Sequence, residues 1–200
     1  MTTPPEPIQP PDERWFPILT RRLVLREFRE QDLDDIHAYG SDPEVSRYQE
    51  WGPNTPAITR KFLDESITEQ ATWPRLKVSL AVELRAEARL IGALHLGISD
   101  PANQSGDLGY CLHRDYWRRG VATEAAAALV RAGFETLGLH RLWATCDTRN
   151  VGSAGVLEKV GMRREATMRQ DRWARDGWRD SYLYALLADE WAARANGSET

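Results

Sequence analysis

The stretch YWRRGVATEA, residues Tyr116–Ala125, joins a predicted strand to the strongest predicted helix of this chain. Gly120 precedes a run of helix-forming residues, and Arg118 and Arg119 stand directly before it. The N–H groups in the first turn of a helix have no acceptor within the helix, and the helix dipole adds about half a positive charge there. The junction therefore predicts a diphosphate site, with the glycine allowing close approach and the arginines adding charge. A glycine that merely opens a helix beside two solvated arginines fits the same spacing equally well.

Hydrophobic periodicity on both sides of this junction predicts a mixed α/β fold. Alternating apolar residues indicate strands over residues 20–28, 78–84, 90–97, 106–113, 141–147, 162–168 and 179–187. Apolar residues at helical spacing indicate helices over residues 32–39, 58–73, 120–137 and 151–160. Helices thus interrupt a meander of strands. Neither a GxxxxGK[ST] nor a GxGxxG motif is present, so the diphosphate site is of another kind.

The composition excludes several classes of protein. A net charge of −4 argues against a general nucleic-acid binder, which would need a basic surface. No apolar run approaches the roughly 20 residues that span a bilayer, and the N-terminus lacks the order of a signal peptide, so we expect a cytoplasmic protein without membrane contact. Cys111 and Cys146 have no CxxC spacing, which suits a reducing compartment and predicts no metal site.

The chain divides into three parts of unequal size. Residues 1–17 contain six of the 11 prolines, which predicts an arm without helix or strand. Trp15 and Phe16 in this arm are expected to dock on the domain or on a second subunit. Residues 18–191 form the predicted domain, and residues 192–200 a C-terminal tail. The oligomeric state stays open, and a homodimer is compatible with the sequence.

Four pieces of the chain, in order, resemble one family. They are LTRRLVLRE at residues 19–27, LIGALHLG with GDLGYCLHRDYW at residues 90–97 and 106–117, RRGVATEA at residues 118–125, and NVGSAGVLEKVGM at residues 150–162. Over about residues 18–191 the chain resembles the GNAT acyltransferase superfamily, in particular its ribosomal-protein-alanine N-acetyltransferases. The resemblance implies the GNAT fold, an α/β architecture in which helices flank both faces of a central mixed, mostly antiparallel sheet.

The resemblance also implies a site for acetyl-CoA. Backbone N–H groups between Arg118 and Thr123 would bind the pyrophosphate, and splayed strands would hold the pantetheine arm. The implied cofactor residues are Tyr110, Leu112, Trp117, Arg118, Arg119, Gly120, Val121, Ala122, Thr123, Asn150 and Ser153. The superfamily often has Gln or Arg where this chain has Trp117. Helix capping by Asn150 and helix termination by Gly161 explain much of the last piece without any ligand.

Acyl transfer from a thioester needs a neutral amine and a stabilised leaving thiolate. The tyrosine with which the superfamily commonly serves the thiolate is replaced by Leu157, so we assign Ser153 as the hydrogen-bond donor to the sulfur. Glu83, Asp107 and Asp171 are the candidate bases. Asp107 is preferred because the similar enzymes frequently carry an acidic residue there; a solvated or arginine-paired carboxylate is the alternative. His95 and His113 are interpreted as packed strand residues.

Amine pKa values favour one class of acceptor. At neutral pH about a tenth of α-amines, with pKa near 7.7–8.0, are neutral, against well under a thousandth of lysines with pKa near 10.4. A chain without an obvious strong base is therefore expected to acetylate a protein N-terminus, or else a small amine such as an antibiotic or polyamine. Four aromatic residues are expected to line the acceptor site or to cap the core: Tyr48, Trp51, Trp173 and Trp178. A non-catalytic acyl-CoA-binding module is the alternative from another class.

Overall fold

A computed structural model describes residues 6, 8, 16–72 and 74–197 of the 200-residue chain. Most of the predicted arm, including Trp15, lies outside the described residues, and so does the end of the predicted helix 58–73. Two arm residues contact the domain. Ile8 is buried in the main core and its N–H donates to the carbonyl of Pro101 at 3.3 Å, while Phe16 packs against the same core.

The described residues form eight strands in one sheet and five α-helices. The strands are β1 Ile18–Leu19, β2 Leu23–Arg26, β3 Lys77–Leu84, β4 Arg89–Asp100, β5 Ser105–Leu112, β6 Arg141–Asp147, β7 Arg163–Ala174 and β8 Gly177–Leu187. The helices are α1 Leu33–Gly40, α2 Pro56–Gln70, α3 Val121–Arg131, α4 Val151–Lys159 and α5 Ala188–Gly197. The strand order is β1-β2-β3-β4-β5-β6-β8-β7, and every pair is antiparallel except β5 and β6.

Helices cover both faces of the sheet, which confirms the predicted fold class. Alternation along β3 shows how: Val82 packs into the core beneath α3 and α4, whereas its neighbour Ala81 packs beneath α1 and α2. Leu129 of α3 belongs to the first core, and Leu63 of α2 belongs to the second. No helix in the described part of the chain is both long and apolar enough to span a bilayer.

Several elements differ from the sequence expectations. β7 continues to Ala174 and β8 starts at Gly177, so both are longer than the predicted strands 162–168 and 179–187. β7 lies at the edge of the sheet with most of its residues exposed, so it lacks the apolar alternation that marks half-buried strands. The predicted helix 120–137 is α3 followed by a π turn over Ala132–Thr136, and α5 is not predicted.

The parallel strands β5 and β6 pair over only three residues. Their register joins Ser105 to Arg141 and ends where Asp107 meets Trp143. β5 continues to Leu112 and β6 to Asp147 without further pairing between them. The two strands therefore splay apart and open the sheet at its centre, which confirms the splayed strands implied by the resemblance.

Candidate active site

A cleft of about 700 Å³ occupies the gap between the splayed strands. Its walls come from β5 and β6, from the start of α4, from the segment between α1 and α2, and from the hairpin of β7 and β8. The residues that line it include Tyr48, Glu50, Trp51, His95, Asp107, Tyr110, Cys146, Asp147, Asn150, Ser153, Arg172 and Arg179. Elements from both faces of the sheet therefore line the cleft.

Residues 118–123, which the sequence predicts to bind a diphosphate and which are hereafter called the diphosphate loop, lead into α3. Arg118 and Gly120 have φ of 59° and 72°, so the chain adopts the left-handed conformation twice before the helix begins. The first helical hydrogen bond runs from the Glu124 N–H to the Gly120 carbonyl at 3.0 Å. Within the described residues no acceptor contacts the N–H groups of residues 118–123. The loop therefore presents a run of free amides at a solvent-exposed helix N-terminus.

Two of the predicted cofactor residues contact each other rather than the loop amides. The Trp117 indole Nε1 donates to the Leu112 carbonyl at 2.8 Å, which ties the start of the loop to the end of β5. The Leu112 side chain is buried in the main core. Trp117 thus anchors the loop by its indole, at the position where the superfamily often has Gln or Arg.

A cluster that the sequence analysis missed lies beside the diphosphate loop. The Arg22 guanidinium donates from Nε to Glu124 at 2.7 Å and from Nη1 to the Arg119 carbonyl at 2.8 Å. Arg22 and Glu124 are separated by 102 residues, so no local pattern connects them.

Ser153 lies in the first turn of α4 with its hydroxyl in the cleft. The Asn150 side chain accepts a hydrogen bond from the Ser153 N–H at 3.1 Å, so Asn150 acts as the helix cap. The Tyr110 hydroxyl lies 3.0 Å from both the Ser153 hydroxyl and its carbonyl. Tyr110 donates to the carbonyl when the Ser153 hydroxyl donates to Tyr110. The structure therefore brings together Tyr110, Asn150 and Ser153, three of the residues that the resemblance implies for acetyl-CoA.

Burial keeps the hydroxyl and thiol groups around Ser153 neutral. Burial raises the pKa of Tyr110 well above its usual range, opposed by the hydrogen bond with Ser153. Burial also raises the pKa of Cys146 to about 11, again opposed by a hydrogen bond with Ser153. Tyr110 and Cys146 are therefore protonated at neutral pH, and the hydroxyl of Ser153 lies between two uncharged neighbours.

Of the three candidate bases, only Asp107 lines the cleft. Its Oδ2 lies 3.2 Å from Nε2 of His95 on the neighbouring strand β4, so His95 is a partner of the carboxylate and not just a packed residue. Glycines make room for the pair, because a Cβ at Gly97 would lie 2.7 Å from Asp107 Oδ1 and one at Gly109 2.4 Å from His95 Cε1.

The other candidates have different partners. Glu83 accepts from Arg26 Nε at 2.6 Å, outside the cleft. Asp171 lies 3.8 Å from Arg172 Nε and does not line the cleft either. His113 accepts a hydrogen bond from the Asp115 N–H at 3.2 Å.

The four aromatic residues predicted for the acceptor site separate into two pairs. Tyr48 and Trp51 line the cleft, but Trp173 and Trp178 do not. Trp173 and Trp178 stack edge to face at 5.4 Å and are 65% and 58% exposed. Because side chains alternate along a strand, their neighbours Arg172 and Arg179 line the cleft in their place.

Ion pairs neutralise the charged side chains that line the cleft beside the β7–β8 hairpin. Arg172 pairs with Glu50, and its Nη2 donates to the Thr145 hydroxyl at 3.3 Å. Asp147 accepts from Arg149 at 2.8 Å and from Arg179 at 3.3 Å. Burial by itself would raise the pKa of Asp147, but the hydrogen bonds from Arg149 outweigh it and lower that pKa.

No group of three or more His, Cys, Asp or Glu side chains in the described part of the chain could hold a metal ion. The cleft and the adjoining loop offer hydroxyls, the Asp107 carboxylate with its imidazole partner, and the free amides of residues 118–123.

Comparisons with known proteins agree with this geometry. A family profile described as an acetyltransferase (GNAT) domain matches residues 22–163. An uncharacterised N-acetyltransferase of Bacillus subtilis, YnaD, is 33% identical over 174 residues, covering 87% of this chain and 98% of that protein. A GNAT-family acetyltransferase structure from Bacillus anthracis superposes with a TM-score of 0.77 at 31% identity, covering 87% of this chain and 99% of that one.

A third comparison extends over more of the chain. The structure of a GCN5-related N-acetyltransferase from Brucella melitensis has a TM-score of 0.81 at 25% identity, covering 94% of this chain and 85% of that one. The family match covers the diphosphate loop, the splayed strands and the helix that carries Ser153. This chain belongs to the GNAT family of acetyltransferases, and it is an N-acetyltransferase of that type.

Proposed function

We propose that this protein transfers the acetyl group of acetyl-CoA to the α-amine of a peptide or protein N-terminus. The observation that carries the proposal is the cleft in the split sheet, which has Ser153 on its α4 wall and Asp107 with His95 on its strand wall. The enzymes of this family take the acetyl group from acetyl-CoA, so the two proton-handling groups of the cleft correspond to the two needs of that transfer.

The diphosphate loop is the proposed grip on coenzyme A. Its free amides and the exposed side chains of Arg118 and Arg119 suit the two charges of a diphosphate. The pantetheine arm would then run between β5 and β6, where their facing backbone groups have no partner strand. Tyr110, Asn150 and Ser153 stand beside that gap.

The residues of the cleft handle the protons of the reaction. The amine nitrogen forms a bond to the acetyl carbon and the carbon–sulfur bond breaks, with the electron pair leaving on sulfur. Asp107, oriented by His95, accepts the proton that the amine gives up. The Ser153 hydroxyl turns from Tyr110 to donate a hydrogen bond to the departing sulfur. Tyr110 keeps Ser153 in place through its second hydrogen bond, to the Ser153 carbonyl.

The charge of the cleft favours a peptide over a polyamine. Its lining contains three carboxylates and three cationic side chains, and two of those carboxylates are paired with arginines. A polycation would meet Arg172 and Arg179 without enough free carboxylates to match its charge. A single α-amine needs only the carboxylate of Asp107. Tyr48 and Trp51 provide apolar surface for the residue that follows the amine.

Two relatives support a ribosomal-protein acceptor. A ribosomal-protein-serine acetyltransferase of Escherichia coli is 27% identical over 103 residues, covering 52% of this chain. The alanine N-acetyltransferase of ribosomal protein uS5 from the same organism is 29% identical over 84 residues, covering 42% of this chain. A small-molecule amine remains the second candidate, since a cleft of about 700 Å³ is also the size of a drug-like ligand site.

Thiol release from acetyl-CoA, measured with a panel of amines, tests the proposal. Peptides that begin with free alanine or serine are expected to be substrates, while the same peptides blocked at the N-terminus but carrying an internal lysine are not. Faster turnover of spermidine or an aminoglycoside would instead assign the small-amine function. Tight binding of acetyl-CoA without transfer to any of these amines would indicate a binding module.

A further inference from the structure

Arg22 contacts the diphosphate loop although 97 residues separate it from Arg119 in the sequence. It precedes β2, yet its Nη1 donates to the Arg119 carbonyl at 2.8 Å. Its Nη2 lies 3.5 Å from the position that a Cβ on Gly120 would occupy. The guanidinium therefore lies against the loop on the side of the Arg119 carbonyl. Arg22 does not line the cleft, so it is placed to act on the loop and not on the acceptor.

Glu124 holds Arg22 in this position. Its carboxylate accepts three hydrogen bonds, from Arg22 Nε at 2.7 Å, from the Arg22 N–H at 2.8 Å and from the Thr20 hydroxyl at 2.6 Å. Burial by itself would raise the pKa of Glu124, but these hydrogen bonds outweigh it and lower that pKa. The carboxylate is therefore charged at neutral pH, and it fixes the guanidinium through a charge-assisted contact.

Because of peptide-bond geometry, the contact between Arg22 and the Arg119 carbonyl also fixes the orientation of the Gly120 N–H. In a trans peptide the C=O and the following N–H point in opposite directions. Holding the Arg119 carbonyl toward Arg22 therefore turns the Gly120 N–H away from Arg22, to the open side of the loop. The same contact supports the left-handed conformation of Gly120, with φ of 72°, from which α3 starts. Without it, the Arg119 carbonyl has no hydrogen-bond donor among the described residues.

We infer that Arg22 is a positioning residue for coenzyme A, which presets the diphosphate loop through the Arg119 carbonyl while Glu124 and Thr20 hold it in place. The inference rests on the proposed function, since it assumes that the loop binds the diphosphate of acetyl-CoA. An ion pair with no such role would leave the affinity for acetyl-CoA unchanged.

Replacing Arg22 tests this, with its neighbour as the matched control. Arg21 is exposed and makes no hydrogen bond or ion pair with the rest of the described chain. Arg22→Met is expected to weaken acetyl-CoA binding about tenfold by calorimetry and to raise the KM for acetyl-CoA, with kcat and the acceptor KM within about twofold. Arg21→Met is expected to behave as wild type. Unchanged affinity in Arg22→Met would overturn the inference.

Two further measurements separate positioning from charge and from misfolding. Arg22→Lys keeps the charge but lacks the fork that joins Glu124 to the Arg119 carbonyl, so it is expected to bind as weakly as Arg22→Met; full recovery would reduce Arg22 to a simple charge. S-acetylpantetheine lacks the diphosphate, so Arg22→Met and wild type are expected to use it with equal kcat/KM. A loss with this donor as large as with acetyl-CoA would show that the substitution damages the whole site.

The same data separate failure of the inference from failure of the proposed function. If wild-type protein binds no acetyl-CoA, the proposed function fails. If wild type binds and Arg22→Met binds equally well, only the role of Arg22 fails. Glu124→Gln keeps an oxygen that can accept from Thr20 and from the Arg22 N–H, and it is expected to weaken binding by a few fold. An unchanged Kd in this variant would contradict the role of Glu124 as the holder of Arg22.

Discussion

The Gly120→Ala substitution is expected to have two separately measurable effects, a loss of stability from backbone strain and a loss of affinity for acetyl-CoA. Gly120 has φ of 72°, and an added Cβ would meet only Arg22 Nη2 at 3.5 Å, an ordinary contact. The expected loss of stability is therefore the left-handed penalty of about 1–2 kcal/mol, with no clash added. For a domain of this size that penalty lowers Tm by about 2–8 °C.

Gly138 provides the matched control for this substitution. It also has a left-handed backbone, with φ of 66°, and a Cβ there would meet nothing within 4 Å. It follows the π turn after α3, away from the cleft lining. Gly138→Ala is therefore expected to lower Tm by the same amount as Gly120→Ala, because the two backbones carry the same conformational penalty.

Only the Gly120 variant is expected to lose affinity for acetyl-CoA. Relief of the strain rotates the peptides on both sides of the substituted residue, and those peptides carry two of the free amides of the diphosphate loop. Losing one hydrogen bond to a charged group corresponds to about 1.5–3 kcal/mol, or a Kd raised about tenfold to a hundredfold. Calorimetric titration with acetyl-CoA and a melting curve for each variant measure both quantities. Equal Kd values in the two variants, with equal Tm losses, would refute the assignment of the diphosphate to this loop.

The cleft and the two cysteines make four further expectations testable. Ser153→Ala is expected to lower kcat about a hundredfold with little change in the KM for acetyl-CoA, and a change under about twofold would remove Ser153 from the reaction. Asp107→Asn is expected to lower the rate about a hundredfold near pH 7. The rate is expected to recover near pH 9 with an α-amine, whose pKa is about 7.7–8.0, but not with lysine. The pH–rate profiles of the two substrates measure this difference. Trp51→Ala is expected to raise the acceptor KM several fold, while Trp178→Ala, on the other side of its strand from Arg179, leaves it unchanged in the same steady-state assay. Burial raises the pKa of Cys146 from 9.0 to about 11 and that of Cys111 from 9.0 to about 12. Alkylation of the folded protein by iodoacetamide is therefore expected to be slow below pH 9.0, and rapid alkylation at neutral pH would contradict this burial. The stability linked to the neutral thiols is expected to be lost as pH rises from 9.0 toward 12.

Local sequence patterns predict the order of elements around the site. Apolar alternation over residues 141–147 coincides with β6 from Arg141 to Asp147. Asn150 is identifiable as a helix cap from its position, and its side chain accepts from the Ser153 N–H. These signals succeed because a strand period and a helix cap are properties of the nearest few residues. The full length of the edge strand β7 is not predictable in this way, because exposure on both faces leaves no apolar period to detect.

The α/β class and the family can be read from the amino-acid order, because the periods and motifs that identify them each lie within a short stretch of the chain. The hydrogen-bond partners of the site's side chains cannot be read from the sequence. The three pairs are His95 with Asp107, Tyr110 with Ser153, and Arg22 with Glu124. A hydrogen bond acts over about 3 Å, and such distances between remote residues are set by strand register and helix packing. Pairing across 102 residues, as in Arg22 and Glu124, exists only once the sheet and α3 have come together.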